Sequence, residues 1–285
     1  MKTFDQNLPK RISFILATKN RAMFLEKALA SHRKLISPID ELIIIDGASK
    51  DKTATVIAKN SDIVDIFVSE NDTSEGDATN KGVLLARGKY IKLLTDDDIF
   101  HKKAIEKAYK IIEKNHQIDI LLCGGVKKRG EETAFVWVPE GVRYGEDVAD
   151  VFKYGGCGLG LLIRRGVFSK IGLFNPQAVA MDVDFLVKAI SLGAKVKFCR
   201  LNMYLHKVEK HSAVNRHNER LMRDFERIKK QYKVKSDLML DVRVGFSQLV
   251  FPKLPKSFQG LYLRTFKKRP KSVRLIKPVW DGGLS

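Results

Sequence analysis

Cysteine is scarce in this 285-residue chain: Cys123, Cys157 and Cys199 stand far apart, and no C-x-x-C pair occurs. That excludes a disulfide framework and a cysteine-rich structural zinc site, and it points to a reducing compartment. No run of about 18 apolar residues exists, so no spanning helix is expected. Met1 to Arg11 lacks the apolar stretch of a secretory signal, which makes the expected location cytoplasmic. Internal repeats and low-complexity blocks are missing too, which removes solenoids and fibrous folds. Acid is missing from Val242 to Trp280, where ten Lys or Arg occur.

What is present is an ordinary globular composition, 44% hydrophobic and 30% charged, with enough length to bury a sizeable core. The charge is lopsided. The formal net charge is +19, and Lys207 to Ser285 alone holds 20 basic against 7 acidic residues.

The first half alternates short β-branched runs with amphipathic segments, the pattern of βα units on a mainly parallel sheet. Strands are expected at 12–17, 41–46, 65–69, 90–94 and 120–123, with helices at 21–31, 52–60, 78–86 and 102–115. The run Glu41 to Asp46 is nearly all apolar, as a strand covered on both faces should be. Beyond Gly124 the alternation loosens. Residues 134–138 are strand-like, 159–163 are apolar, 181–192 have helical period, and 216–235 read as a charged helix. The segment Gly155 to Gly160 supplies no G-x-G-x-x-G after a strand and reads as a flexible loop.

Two expected strands end in acid, at Asp46 and at Asp96-Asp97-Asp98. Ligands of open α/β sheets bind beyond the carboxyl ends of strands. At about 4 Å and an effective dielectric of about 20, each like-charged pair costs roughly 4 kcal/mol, which a divalent cation relieves. Hard oxygen ligands select Mg²⁺ or Mn²⁺. The spacing alone equally allows a solvated acidic turn ahead of the helix at Lys102.

The run Glu70-Asn71-Asp72-Thr73-Ser74-Glu75-Gly76-Asp77-Ala78-Thr79-Asn80-Lys81-Gly82, followed by Ala86 to Ile91 and Asp96-Asp97-Asp98, resembles the nucleotide-sugar domain of family 2 glycosyltransferases. Upstream, Ala17-Thr18-Lys19-Asn20-Arg21 matches that family's first-strand Thr-x-Asn-Arg, and Asp46 to Thr53 its Asp-x-Gly-Ser-x-Asp-x-Thr. The resemblance covers about residues 10 to 210. It implies a GT-A fold, a Rossmann-like, mainly parallel sheet flanked by helices. The catalytic domain would be 1–210, with a nucleotide-sugar half at 10–125 and an acceptor half at 126–210. A basic, partly helical extension would follow at 211–285.

The same resemblance implies an inverting, hexosyltransferase-type enzyme that uses Mn²⁺ or Mg²⁺ through a DXD-type motif, with a nucleoside-diphosphate sugar, UDP foremost, as donor. Carried over by position, Asp97 and Asp98 are metal ligands, with His206 approaching the metal or diphosphate. Thr18, Asn20, Arg21, Asp46, Asp77, Asn80, Lys81 and Asp96 contact the nucleotide sugar. Two departures stand out: Gly47 and Thr95 occupy positions where the family often has acids. Read without the resemblance, Asp77 caps a helix at Ala78.

Inversion needs a carboxylate to take the acceptor's proton. The stretch Arg164 to Asn175 followed by Met181-Asp182-Val183-Asp184 resembles the family's acceptor-side signature, which makes Asp182 the base. About 200° of helix rotation separates Asp182 from Asp184, so the two face different ways. Alone, Asp182 reads equally as a helix-capping acid.

Aromatics interleave with lysines from Phe246 to Arg269, which suits an anionic membrane surface, and equally a tail packed on the domain with a solvated basic face. A lipid-linked or saccharide acceptor in surface glycan synthesis fits the former. Two other functions compete. A sugar nucleotidylyltransferase would want a Gly-rich phosphate loop after strand one, and Thr18 to Arg21 has no glycine. A nucleic-acid binder acting through the basic tail leaves the acids unexplained, and the chain shows no recognised binding module.

Overall fold

The computed structural model describes residues 9–129, 132–136, 148–154, 157–207 and 218–234. The basic stretch from 235 to 285 lies outside the described residues.

The strands are β1 (Ile12–Thr18), β2 (Glu41–Asp46), β3 (Ile66–Ser69), β4 (Tyr90–Leu94), β5 (Ile99–Phe100), β6 (Ile120–Arg129), β7 (Glu132–Val136), β8 (Leu161–Arg164) and β9 (Val196–Lys207). The helices are α1 (Ala22–His32), α2 (Thr53–Lys59), α3 (Glu75–Leu85), α4 (Lys102–Lys114), α5 (Ala149–Tyr154), α6 (Phe168–Ile171), α7 (Met181–Ser191) and α8 (Asn218–Gln231). The strands form one sheet in the order β3-β2-β1-β4-β8-β6-β9-β5, with β7 beside β6. The β3-β2-β1-β4 half is wholly parallel. Beyond it the sheet is mixed: β8 runs antiparallel to β4 and β6, and β9 parallel to β6.

Each central strand divides its side chains between two cores. In β2, Leu42 and Ile44 join the layer holding Leu25, Leu29 and Ile105, while Ile43 and Ile45 join the layer of α3 and α7. In that second layer Phe174 and Phe185 stack at 4.3 Å, and Leu221 and Ile228 bring α8 into the same core. Ridding this apolar surface of water is the main force holding the sheet between its helices.

Several expectations need correcting. The helix expected at 78–86 begins at Glu75, because Ser74 accepts from the Asp77 N–H at 3.1 Å and Asp77 Oδ2 accepts from the Thr73 N–H at 3.0 Å. The bond from the Asp77 N–H makes Ser74, and not Asp77, the cap, while Asp77 holds the preceding Thr73 N–H. The strand expected at 120–123 runs on to Arg129 through register shifts at Cys123/Gly124 and Gly124/Gly125. A Cβ on Gly125 would stand 2.5 Å from the Tyr204 ring, so glycine lets β6 pass it. Gly158–Gly160 forms a 3₁₀ turn, and a Cβ on Gly160 would stand 2.0 Å from Cys123 O. That part of the expected flexible loop is wedged in place.

Candidate active site

The parallel half delivers Thr18, Asp46 and Thr95-Asp96-Asp97-Asp98 to one edge of the sheet, since β1 pairs with both β2 and β4 in register. Asp46 is buried and accepts from Ser49 N at 3.1 Å, from Ser49 Oγ, and from Ser69 Oγ at 2.6 Å. It therefore shapes the loop after β2. Asn20, at φ 53°, ties that loop to the one after β1 by accepting from Lys50 N at 2.7 Å and donating its own N–H to Ser49 Oγ at 2.7 Å. Ala48 also has positive φ, at 55°, a conformation that costs a non-glycine residue energy and is typical of functional loops. A Cβ on Gly47 would meet Asp72 Oδ2 at 2.0 Å. The space beside Gly47 thus already holds an acid, Asp72, paired with Lys19 at 3.3 Å.

The three adjacent acids have distinct partners. Asp96 accepts from Thr18 Oγ1 at 2.9 Å and from Arg21 Nε at 3.0 Å. Asp97 accepts from Arg21 at 2.5 Å. Loss of water around its carboxyl, and then the charges of Asp98 and Asp96, raise the Asp97 pKa against the opposing pull of Arg21. Asp98 accepts from Thr95 Oγ1 at 2.8 Å, Lys207 N at 3.0 Å and His206 Nδ1 at 2.9 Å. The pairing of the short β5 with β9 brings His206 there. Behind the acids, His32 Nε2 donates to Thr95 O at 3.0 Å.

The α3 residues split by role. Asn80 exchanges two 2.9 Å hydrogen bonds with the backbone of Phe174, which pins the loop ahead of α7. Lys81 reaches Asn71 O at 2.8 Å and Glu70 at 2.9 Å, and with Asp77 it fixes the 70–77 turn. Glu75 keeps solvent contact, yet protein atoms crowd the corner around its carboxyl. That desolvation first, and then the charges of Asp182, Asp96 and Asp97, push its pKa up to about 7. Glu75 thus stands within electrostatic reach of both acidic groups.

Asp182 is the second residue of α7. Its Oδ2 accepts from Gly158 N–H at 2.7 Å and its Oδ1 from Val183 N–H at 2.8 Å. Desolvation raises its pKa, and these N–H groups hold the rise in check. Asp184 turns away, buried, to Arg227 of α8 at 2.8 Å.

Among the described residues no group of three or more His, Cys, Asp or Glu side chains converges to hold an ion unaided. The donor chemistry nonetheless fits an ion completed by substrate phosphates, held through one or two carboxylates. In the neutral tautomer whose Nδ1–H donates to Asp98, His206 would present an Nε2 lone pair, the arrangement in which a carboxylate orients a metal-binding histidine. Arg21 meanwhile supplies a cation to Asp96 and Asp97.

The family model described as glycosyl transferase family 2 matches residues 13–172. The chain belongs to this family. A PGL/p-HBAD biosynthesis glycosyltransferase of Mycobacterium bovis (strain BCG / Pasteur 1173P2) is 31% identical over 203 residues, 69% of this chain and 74% of that one. An uncharacterized glycosyltransferase of Rickettsia typhi is 28% identical over 192 residues, 64% of this chain but only 59% of the relative's length. In structure, S. aureus TarS in complex with UDP-GlcNAc superposes with a TM-score of 0.66 at 16% identity, covering 89% of this chain and 79% of that one. A mannosyltransferase from Pyrobaculum calidifontis, in complex with GDP-Man and Mn²⁺, gives a TM-score of 0.62 at 16% identity, covering 93% and 78%. The fold is GT-A, as in these solved structures, and the chain spans under two thirds of the length of two Rickettsia relatives, 59% and 53%.

The structure thus gathers Thr18, Asn20, Arg21, Asp46 and Asp96–Asp98 with His206 at one edge of the sheet, and Asp182 nearby. Asn80 and Lys81 spend their polar atoms on the protein itself. Sequence reasoning passed over Glu75, which looked like one more polar loop residue. It also passed over Lys92, although a lysine within Tyr90-Ile91-Lys92-Leu93-Leu94 was a visible oddity.

Proposed function

We propose that the chain is a metal-dependent, inverting glycosyltransferase. It moves a sugar from a nucleoside diphosphate, UDP foremost, to a saccharide or lipid-linked acceptor in surface glycan synthesis. The observation that supports this most is the cluster at the strand ends: Asp96 accepts from Thr18 and Arg21, Asp97 from Arg21, and Asp98 from His206.

In this reading Thr18, Asn20, Asp46 and Asp96 frame the base and ribose, with Asp72 filling the place of the acid absent at 47. Asp77 and Lys81 act on the donor by shaping the 70–77 turn, and Asn80 by pinning the loop at Phe174. Asp97 and His206 would hold Mn²⁺ or Mg²⁺, with Asp98 orienting His206 or joining them as a ligand, and such an ion would supply positive charge to offset the leaving diphosphate. Asp182 takes the proton of the acceptor hydroxyl as the new oxygen–carbon bond forms at the anomeric centre and the bond to the diphosphate breaks on the opposite face. Its raised pKa makes it a stronger base than a solvated aspartate.

The test is thermal unfolding with UDP. Protection should require Mn²⁺ or Mg²⁺, reach about 2.7 kcal/mol at a hundredfold excess over the dissociation constant, and vanish in Asp97→Ala. Equal protection in Asp97→Ala, or without the ion, overturns the reading. No helix among the described residues is long and apolar enough to cross a membrane. The basic extension is proposed to dock peripherally on an anionic leaflet. Salt-sensitive sedimentation of the full chain with phosphatidylglycerol vesicles, and none with phosphatidylcholine, is the expected result; equal binding to both counts against it.

A further inference from the structure

Lys92 lies in β4 with none of its surface exposed. Its Nζ donates to Leu93 O at 2.8 Å and Leu159 O at 2.7 Å, and stands 4.6 Å from the centre of the Phe100 ring. Among the described residues no carboxylate lies within ion-pair distance of it. The other β4 residues are buried apolar side chains or Tyr90, so a lysine here is costly unless something needs it. Burial draws its pKa down to about 7, yet a neutral amine still carries two N–H groups for the two carbonyls. The contacts therefore persist across neutral pH.

Leu159 is the middle residue of the 3₁₀ turn Gly158–Gly160. One end of that turn is wedged, with the Gly160 Cα against Cys123 O. The other end presents the Gly158 N–H to Asp182 Oδ2 at 2.7 Å. Hydrogen bonds of 2.7 Å thus run from Lys92 through one turn to the proposed base.

We infer that Lys92 is a positioning residue for sugar transfer: by gripping Leu159 O it sets the turn whose Gly158 N–H orients the Asp182 carboxylate toward the acceptor. This rests on Asp182 being the base. An apolar side chain at 92 would fill the volume but free the turn to roll, and a displaced base loses rate steeply even where substrate binding survives.

The experiment is a double-mutant cycle of Lys92→Met, Asp182→Asn and the pair, read as kcat, donor KM, UDP affinity and melting temperature. Lys92→Met should lower kcat roughly 10- to 100-fold while donor KM and UDP affinity stay within about twofold. The double variant should be no slower than Asp182→Asn alone. The acid limb of the kcat profile should move to higher pH in Lys92→Met, because a weakened Gly158 hydrogen bond favours the charged carboxylate less. Multiplying effects in the double variant, an unmoved acid limb, or a normal kcat in Lys92→Met overturns the inference. A normal rate in Asp182→Asn instead overturns the base assignment itself. Should Lys92→Met not fold, Lys92→Gln, which keeps an N–H donor, enters the same cycle.

Discussion

Arg21 reaches Asp97 Oδ2 at 2.5 Å while its Nε holds Asp96 at 3.0 Å, so one guanidinium serves two of three consecutive carboxylates. Its face also lies 4.1 Å from the centre of the Phe24 ring. Removing it leaves the acids to repel. Arg21→Ala should therefore lose about 1.5–3 kcal/mol in urea unfolding without metal, the range for hydrogen bonds to charged groups. Saturating Mn²⁺ should shrink that deficit. A deficit of the same size with the ion present would show that the cation does not relieve these acids.

Asp182 and Asp184 should separate cleanly under mutation. Asp182→Asn is expected to keep UDP protection and to lower transfer by roughly 10²- to 10⁴-fold, the usual share of a general base. Asp184→Asn should leave chemistry nearly intact and reduce stability by about 1–2 kcal/mol. That is less than a fully buried pair, because Arg227 is 38% exposed. The reverse assignment of the two phenotypes would sink the proposed roles.

Burial draws the His32 pKa down to about 4 from 6.5, so the folded protein keeps this ring neutral while the unfolded chain protonates it. Stability is lost as pH falls from about 6.5 towards 4 and flattens below, by roughly 3 kcal/mol in all. Urea unfolding at about pH 7 and about pH 4.5 should show a larger loss for wild type than for His32→Gln. Equal losses would mean that His32 titrates normally.

Glu75 acts with the opposite sign. Its folded pKa of about 7 lies above the ordinary 4.5, so the native state holds a proton that the unfolded chain has released. Stability falls as pH rises through that window and levels off above about 7. Glu75→Gln should remove this slope and gain on wild type between about pH 5 and 8. A constant gap between the two proteins across that range would contradict the placement of Glu75 among the acids.

The strands of the parallel half were legible because they are short apolar runs buried on both faces, as in Glu41 to Asp46. Their acidic ends were legible because a strand end is where such a sheet binds ligands. β9 was not. Lys197, Arg200 and Asn202 interrupt any simple alternation, and its pairing with β6 passes through shifts in register that no local pattern announces. The start of α3 was missed by three residues because Ser74 and Asp77 both satisfy capping rules, and only the bond from the Asp77 N–H to Ser74 Oγ decides. Glu75 and Lys92 acquire their roles from groups distant in sequence, at Asp182 and Leu159, so tertiary structure alone exposes them.

The first turn of α7 is held from two sides. Asp182 grips the turn at Gly158 and, two residues on, Asp184 grips Arg227 of α8. Asp182 and Asp184 are two residues apart, so a shift of α8 passed on through Arg227 would reach Asp182 across a single helical turn.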